Sequence, residues 1–192
     1  MTEPILLDLP DRLDTARLVL RPPRAGDGPL LHEAIVETLP ELRRYLAALP
    51  WVAAEPTLPS AEAFCRNGQA NFLARKDFPF LLLARGSGRL VGVAGLHRTD
   101  FAVPKSEVGY WSRVSTAGSG FISEAVRALA DLAFGTLGVV RLEAVIDEAN
   151  AASRRVAERC GFALEGIHRH DRRAADGGLR NTCIYARCDL AP

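Results

Sequence analysis

A strand, a loop with two glycines and a long helix follow one another in the middle of this sequence, and this succession constrains the fold most. Residues 107–114, EVGYWSRV, predict a strand. Apolar residues recur at helical spacing from Ile122 to Leu137, so the segment after the loop predicts a helix with one apolar face. Between them, Gly118 and Gly120 allow the positive φ angles of a tight turn. A strand therefore feeds directly into a helix at this loop.

The glycine loop favours binding of a phosphate or pyrophosphate. Two glycines at a strand end, followed at once by a helix, let successive backbone N–H groups converge on one anion at the positive helix end. A Walker loop is excluded because the Gly-Lys-Ser/Thr triplet is absent. A dinucleotide fingerprint fails because its third glycine would fall at Ser123. A tight turn without a ligand is the alternative.

The other segments alternate between strands and helices. Hairpins come first and strand–helix–strand units later, which favours an α/β (α+β) fold with a mixed sheet over a purely parallel one. Neither a linker nor an internal repeat interrupts the sequence, so we expect residues 1–192 to form a single domain. The patterns predict a strand at 16–21, a helix capped by Asp27, a helix over 60–75 that starts at Ser60 with Phe64 and Phe72 on one side, a hairpin turning at Gly86–Gly88, a strand at 139–147, a helix from Asn150 to Gly161, and two strands within 166–188.

Composition narrows the class of protein. The 192 residues are 48% hydrophobic and 24% charged, with a net charge of +1, which is typical of a folded globular chain and excludes disorder as the main state. The balanced charge argues against a nucleic-acid partner bound through overall charge. The N-terminus has acids and prolines where a signal peptide needs a basic start, and no apolar run is long enough to span a bilayer. We expect a cytoplasmic protein without a membrane partner.

The cysteines predict free thiols rather than a disulfide framework or a metal site. No Cys-x-x-Cys pair is present, and Cys183 and Cys188 lack histidines at zinc-finger spacing. Together with Cys65 and Cys160 they are expected to act as small apolar residues in a reducing compartment.

Six short motifs stand in order along the chain: Gly109-Tyr110-Trp111, Gly118-x-Gly120, Glu124-Ala125, Asn150-x-x-Ser153, Cys160-Gly161-Phe162 and Glu165-Gly166. In this register they resemble the GCN5-related N-acetyltransferase (GNAT) superfamily, and within it the ribosomal-protein N-terminal acetyltransferases of the RimJ/RimL type. The resemblance extends from Thr15 to Tyr185. It implies a GNAT fold, whose mixed, mostly antiparallel central sheet is flanked by helices. It also implies direct transfer of an acetyl group from acetyl-CoA to a primary amine, without a metal or an acyl-enzyme.

The same resemblance implies where the coenzyme binds: its pyrophosphate on the glycine loop and its pantetheine arm along the preceding strand. Two positions depart from the family pattern. Ala117 stands where relatives carry Gln or Arg, which removes a side-chain donor, and Ile122 replaces a small residue and would crowd the helix start. Asn150 is expected to orient the loop and the pantetheine amides, or to cap the helix. The implied coenzyme-binding residues are Trp111, Ser112, Arg113, Ala117, Gly118, Ser119, Gly120, Phe121, Ile122, Asn150 and Ser153.

Two residues are the candidates for catalysis. The attacking amine must lose a proton, and the leaving thiolate benefits from gaining one. Ser153, the serine of the Asn-x-x-Ser motif, is the expected acid, with local helix capping as the alternative. Glu107, on the strand before the glycine loop, is the expected base, with His97, His170 and Asp171 as rivals.

The acceptor and the partners are the least constrained features. The resemblance implies the N-terminal α-amino group of a protein, such as a ribosomal protein. A small amine (an antibiotic, a polyamine or an amino-acid derivative) is the second hypothesis, and a non-catalytic acetyl-CoA-binding module is the third. The basic run at 168–173 either contacts an acidic peptide or the 3′-phosphate of the coenzyme, or is a solvated loop. A homodimer is compatible with the sequence.

Overall fold

One eight-stranded sheet lies at the centre of the computed structural model, which describes residues 3–174 and 176–188. The strands are β1 (Leu13–Asp14), β2 (Leu18–Arg21), β3 (Phe78–Ala84), β4 (Leu90–Asp100), β5 (Lys105–Ser112), β6 (Arg141–Asp147), β7 (Ala163–Arg173) and β8 (Leu179–Cys188). Their order across the sheet is β1-β2-β3-β4-β5-β6-β8-β7. All neighbours are antiparallel except β5 and β6. The predicted mixed, mostly antiparallel sheet is confirmed.

Helices cover both faces of this sheet. They are α1 (Gly28–Leu46), α2 (Pro50–Ala53), α3 (Leu58–Leu73), α4 (Phe121–Gly135) and α5 (Ala151–Arg159). The face that carries Leu96 and Val108, here the α4 face, packs in one apolar cluster with α4 and with Ala157 of α5. The opposite face, here the α1 face, carries Val93 and Trp111 and packs in a second cluster with α1 and α3.

The apolar periodicity of α4 explains its place in the core. Val126, Leu129 and Ala133 recur at intervals of three and four residues, and all three are buried. The helix begins directly after Gly120, whose φ of +79° is left-handed and costs little only for glycine. The glycine loop is therefore held between the end of β5 and a helix anchored in the core.

The structure corrects three details of the sequence interpretation. Asp27 does not cap α1 with its side chain; its carboxylate instead binds the Arg21 guanidinium at 2.6 and 2.7 Å. The helix predicted to start at Ser60 starts at Leu58, because Thr57 and Ser60 form a reciprocal capping box. Phe64 does not share the buried side of that helix and is 42% exposed.

Strands β5 and β6 diverge along their length. Their parallel ladder covers residues 105–107 and 141–143 and ends at the pair Glu107 and Glu143. β6 nevertheless pairs with β8 as far as Asp147, and β5 pairs with β4 as far as Ser112. Since both strands continue past the point where their pairing stops, a wedge-shaped opening lies between them, here the β5–β6 opening.

Candidate active site

The backbone of β5 presents free hydrogen-bonding groups to the β5–β6 opening. The N–H of Arg113 donates to the carbonyl of Val91, in β4, at 2.8 Å. Backbone groups of an antiparallel strand alternate between its two edges, so those of Tyr110 and Ser112 point away from β4 and into the opening. An extended ligand that carries amide groups can pair with this edge.

Tyr110 connects the two sides of the opening on the α4 face. Its hydroxyl donates to the carbonyl oxygen of Ser153 in α5 at 2.9 Å. Burial raises the pKa of Tyr110 to about 12, so the phenol stays protonated and remains a donor at neutral pH. Sequence reasoning used Tyr110 only as part of a motif. Its partner lies 43 residues further along the chain, and no local pattern identifies that contact.

Asn150 and Ser153 form the start of α5. The Asn150 side-chain oxygen accepts the N–H of Ser153 at 3.0 Å, so the helix-capping role of Asn150 is confirmed. Ser153 is half-buried, and its hydroxyl bonds to no other group in the described part of the chain. The serine receives the cap rather than supplying it, and its hydroxyl is left available to a ligand.

The glycine loop displays several backbone donors without acceptors. Gly118 and Gly120 both have a φ of +79°. Among residues 3–174 and 176–188, no group accepts a hydrogen bond from the N–H groups of Gly118, Gly120, Phe121 or Ile122. The N–H groups of Ala117 and Ser119 are directed back to the preceding turn, although the second bond is long, at 3.4 Å. Four free amides at a helix N-terminus suit a phosphate-containing ligand.

Arg17 holds this loop in place from the bend just before β2, and the sequence alone did not assign it to the site. Its Nη1 donates to the Ser119 carbonyl oxygen at 2.8 Å, its Nε lies 2.7 Å from Glu124, and its guanidinium stacks 4.7 Å from the centre of the Phe121 ring. Burial alone would raise the pKa of Glu124, but hydrogen bonds from Thr15 and Arg17 lower it, so this carboxylate stays charged.

Three residues implied in coenzyme binding turn their side chains away from the opening. Arg113 is 4% exposed and forms ion pairs with Glu33 and Glu37 of α1. Trp111 packs in the apolar cluster on the α1 face. The Ile122 side chain is buried in the core. Any contact of these residues with a coenzyme in the opening is made by their backbone.

The α1 face places charged groups where the β5–β6 opening begins. Glu107 lies directly across from His97 on β4 and beside Glu143 on β6. Its carboxylate forms an ion pair with Arg98. His97 in turn has Nδ1 2.7 Å from a carboxylate oxygen of Asp77. The expected base and its first rival are therefore cross-strand neighbours.

The other two rivals lie elsewhere on the sheet. His170 and Asp171 belong to an irregular stretch of β7, which β6 and β8 separate from β5. The N–H of His170 donates to the Asn181 side chain at 2.9 Å, and both His170 and Asp171 are exposed. The structure does not bring them to Glu107.

The four cysteines are free; Cys65, Cys160 and Cys183 are buried as expected of small apolar residues, whereas Cys188 is exposed. Burial raises the pKa of Cys160, whose sulfur lies 3.4 Å from the Ser123 carbonyl oxygen, so this thiol is inert core. Across residues 3–174 and 176–188, no group of three or more His, Cys, Asp or Glu side chains is arranged to hold a metal. None of the helices in those same stretches is both long and apolar enough to cross a membrane.

Comparison with known proteins identifies the family to which this opened sheet and its glycine loop belong. The family described as "Acetyltransferase (GNAT) domain" matches residues 17–163. The uncharacterized N-acetyltransferase p20 of Bacillus licheniformis is 27% identical over 179 residues, which cover 92% of this chain and 95% of that protein. The chain belongs to the GNAT acetyltransferase family and is an acyl-CoA N-acyltransferase.

Two solved structures share the fold at lower identity. RimL, the ribosomal L7/L12 α-N-protein acetyltransferase in complex with coenzyme A, has a TM-score of 0.83 at 21% identity, covering 93% of this chain and 97% of its own. MccE, the microcin C7 self-immunity acetyltransferase in complex with acetyl-CoA and AMP, also has a TM-score of 0.83, at 20% identity, covering 94% and 98%. At these identities the likeness describes the fold alone.

Proposed function

We propose that this protein transfers the acetyl group of acetyl-CoA to a primary amine, the N-terminal α-amino group of a protein. The proposal rests mainly on one observation: two sets of free backbone groups lie next to each other. The glycine-loop amides lead directly into the unpaired edge of β5, so one ligand with a pyrophosphate and an amide-bearing arm fits both.

Binding of acetyl-CoA, the acetyl donor, is proposed to depend on backbone groups. The free amides of Gly118, Gly120, Phe121 and Ile122 would hold the pyrophosphate, and the backbone of Ser112 and Tyr110 would pair with the pantetheine amides. Ala117 contributes no side-chain donor, and Arg17 supplies a cation directly beneath the loop. The acyl-CoA itself supplies the activated thioester at the opening.

The acid–base steps fall on opposite faces of the sheet. Ser153 on the α4 face is proposed to donate a hydrogen bond to the leaving sulfur, since its hydroxyl has no other partner in the described residues. The amine would approach from the α1 face, where the carboxylates of Glu107 and Glu143 lie on neighbouring strands and are ion-paired with Arg98 and Arg141 respectively. The proton acceptor on that face is Glu107 or its neighbour His97.

The α-amino group of a protein is proposed as acceptor because the motifs resemble the RimJ/RimL type and because RimL shares the fold. A small amine is the second candidate, favoured by an equal structural likeness to MccE. A non-catalytic acetyl-CoA binder is the third, and the missing donor at Ala117 is the feature in its favour.

Release of free thiol from acetyl-CoA tests this proposal. The purified protein is assayed against N-terminal peptides of ribosomal proteins, the same peptides with a blocked N-terminus, and a panel of polyamines, amino-acid derivatives and aminoglycosides. Thiol release with free peptides only, with the acetyl group located on the α-amine by mass spectrometry, supports the proposal. Turnover of small amines only supports the second candidate. Binding of acetyl-CoA with no thiol release supports the third.

A further inference from the structure

We propose that His97, oriented by Asp77, accepts the proton of the attacking amine. This assignment rests on the proposed acetyl transfer and names its base. It also makes Asp77, to which the sequence assigned no role, a positioning residue.

The pair has the geometry that makes an imidazole a directed base. His97 Nδ1 lies 2.7 Å from Asp77 Oδ1, and the His97 side chain is 38% exposed. A carboxylate at Nδ1 keeps the hydrogen on that nitrogen, so Nε2 carries the lone pair. Nε2 has no hydrogen-bond partner among the described residues and is the ring atom left to receive a proton.

Two glycines make room for the ring against the sheet. A Cβ built on Gly95 of β4 would lie 3.1 Å from both Cε1 and Nε2 of His97, and one on Gly109 of β5 would lie 3.2 Å from Nε2. Neither glycine has a positive φ, so neither is required by backbone conformation. The ring therefore lies over β5 at Gly109, next to Tyr110, whose backbone faces the β5–β6 opening.

Glu107 is the less suitable proton acceptor. Its carboxylate is bound by Arg98, whereas Nε2 of His97 is free. The charged groups around the imidazole are Asp77 just before β3, Arg98 of β4 and Glu107 of β5. In this arrangement Arg98 occupies the Glu107 carboxylate, and His97 takes the proton of the acceptor.

The transfer balances with this assignment. The ammonium form of the acceptor gives one proton to His97 Nε2, which passes it to solvent. The neutral nitrogen then forms a bond to the acetyl carbon as the bond between that carbon and sulfur breaks. The second proton that nitrogen loses on forming the amide goes to solvent, and the thiolate takes one proton from solvent with the Ser153 hydroxyl as hydrogen-bond donor. One amide, one thiol and one released proton result, and no oxidant or reductant is required.

The test compares two acceptors in His97→Gln and Asp77→Asn variants. One acceptor is a peptide α-amine, which is mostly protonated at neutral pH because its pKa is about 8. The other is an alkoxyamine, whose nitrogen is already unprotonated there. We expect kcat/KM for the peptide to fall about 10²-fold or more in His97→Gln, and kcat/KM for the alkoxyamine to fall less than about 10-fold. Asp77→Asn should show the same selectivity with a smaller loss.

Three controls make the result decisive. His32→Gln, the same change on α1, should leave both rates unchanged. The KM for acetyl-CoA should stay constant in both test variants, which excludes general damage. Glu107→Gln should not reproduce the selective loss of the peptide, because Arg98 already binds the carboxylate of Glu107. Equal losses of the two acceptors in His97→Gln, or selective loss in Glu107→Gln instead, overturn the assignment while the proposed function stands. A wild type that acetylates neither acceptor overturns both.

Discussion

The two sides of the β5–β6 opening are built in different ways. On the α4 face, a local contact sets the start of α5, where Asn150 caps the N–H of Ser153 three residues later, and the long-range hydrogen bond from Tyr110 adds to it. On the α1 face, the polar groups are positioned by distant partners: Asp77 lies 20 residues from His97, and Arg113 lies 76 residues from Glu37. Local motifs therefore mark the coenzyme side, with support from distant contacts, whereas contacts between segments far apart in the chain set the acceptor side.

The largest expected effect is on the coenzyme side, in Gly120→Val. A β-branched residue at a φ of +79° is strained, and it would reposition the free amides at the start of α4. Acetyl-CoA should then no longer raise the melting temperature, and turnover should be lost with it. Gly86→Val is the matched control, because Gly86 has a φ of +84° and no atom within 4 Å of an added Cβ, far from the loop. Coenzyme binding by Gly120→Val as tight as in the wild type would contradict the loop assignment.

The next effect is expected in Ser153→Ala. Its kcat should fall about 10²-fold, the lower end for a proton-transfer role, because the hydroxyl acts mainly as charge develops on sulfur. The KM for acetyl-CoA should stay constant, and Ser153→Thr should restore part of the rate. Steady-state kinetics with acetyl-CoA varied at saturating acceptor measures both values. Unchanged turnover in Ser153→Ala would reduce this serine to a residue of the first helical turn.

A smaller effect is expected in Arg17→Lys, which tests whether the coenzyme side needs support from outside its own motif. Lysine keeps the charge but cannot bind Glu124 and the Ser119 carbonyl together. The KM for acetyl-CoA should rise about three- to tenfold, with kcat little changed. Arg12→Lys, at an exposed ion pair with Asp14, is the control and should behave as the wild type. A normal KM in Arg17→Lys would show that the loop keeps its shape unaided.

The smallest effect is expected at Glu37, which links α1, on the acceptor side of the opening, to the segment before the glycine loop, on the coenzyme side. Hydrogen bonding by Ser115, and then by Arg113, lowers the pKa of Glu37 to about 2. A carboxyl whose folded pKa is depressed stabilises the fold fully above its unfolded pKa of about 4.3, and loses this contribution as the pH falls toward 2.

Melting temperatures measured against pH test this link. At neutral pH Glu37→Gln should melt below the wild type, and the gap should close as the pH falls from about 4.3 toward 2. Glu41→Gln, at an exposed position of the same helix, should show no such gap. A difference between Glu37→Gln and the wild type that stays constant down to the lowest pH would contradict the role of the ionised carboxylate.

Much of the fold follows from local patterns. The apolar stripe of α4 and the hairpin at Gly86–Gly88 are set by residues close in sequence, and both are confirmed. Asp27 and Phe64 are different. Each fits its local pattern, but the Asp27 carboxylate binds Arg21 of β2, and Phe64 lies outside the apolar stripe that α3 buries. Tertiary packing decides both, and no short window of sequence contains it.

The candidate site likewise contains features that local sequence predicts and features that it does not. The free amides at Gly118 and Gly120 are predictable because two glycines before a helix dictate them. The guanidinium of Arg17 is not, since 102 residues separate it from the carbonyl it binds. The sequence alone does not indicate a role for Asp77 either, because a carboxylate just before a strand is common. Its significance comes only from the histidine that the next strand places beside it.

The exposed edge strand β7 bears on whether copies of this chain associate through their sheets. β7 is the last strand in the order, and it carries exposed apolar side chains at Leu164 and Ile167. Such an edge is a template for pairing with another chain and a route to aggregation. The basic run at 168–173 and the irregular pairing between His168 and Arg172 interrupt it with charge and with a break in the ladder. Charge and a break in the ladder at a sheet edge disfavour the addition of strands from other copies of a chain.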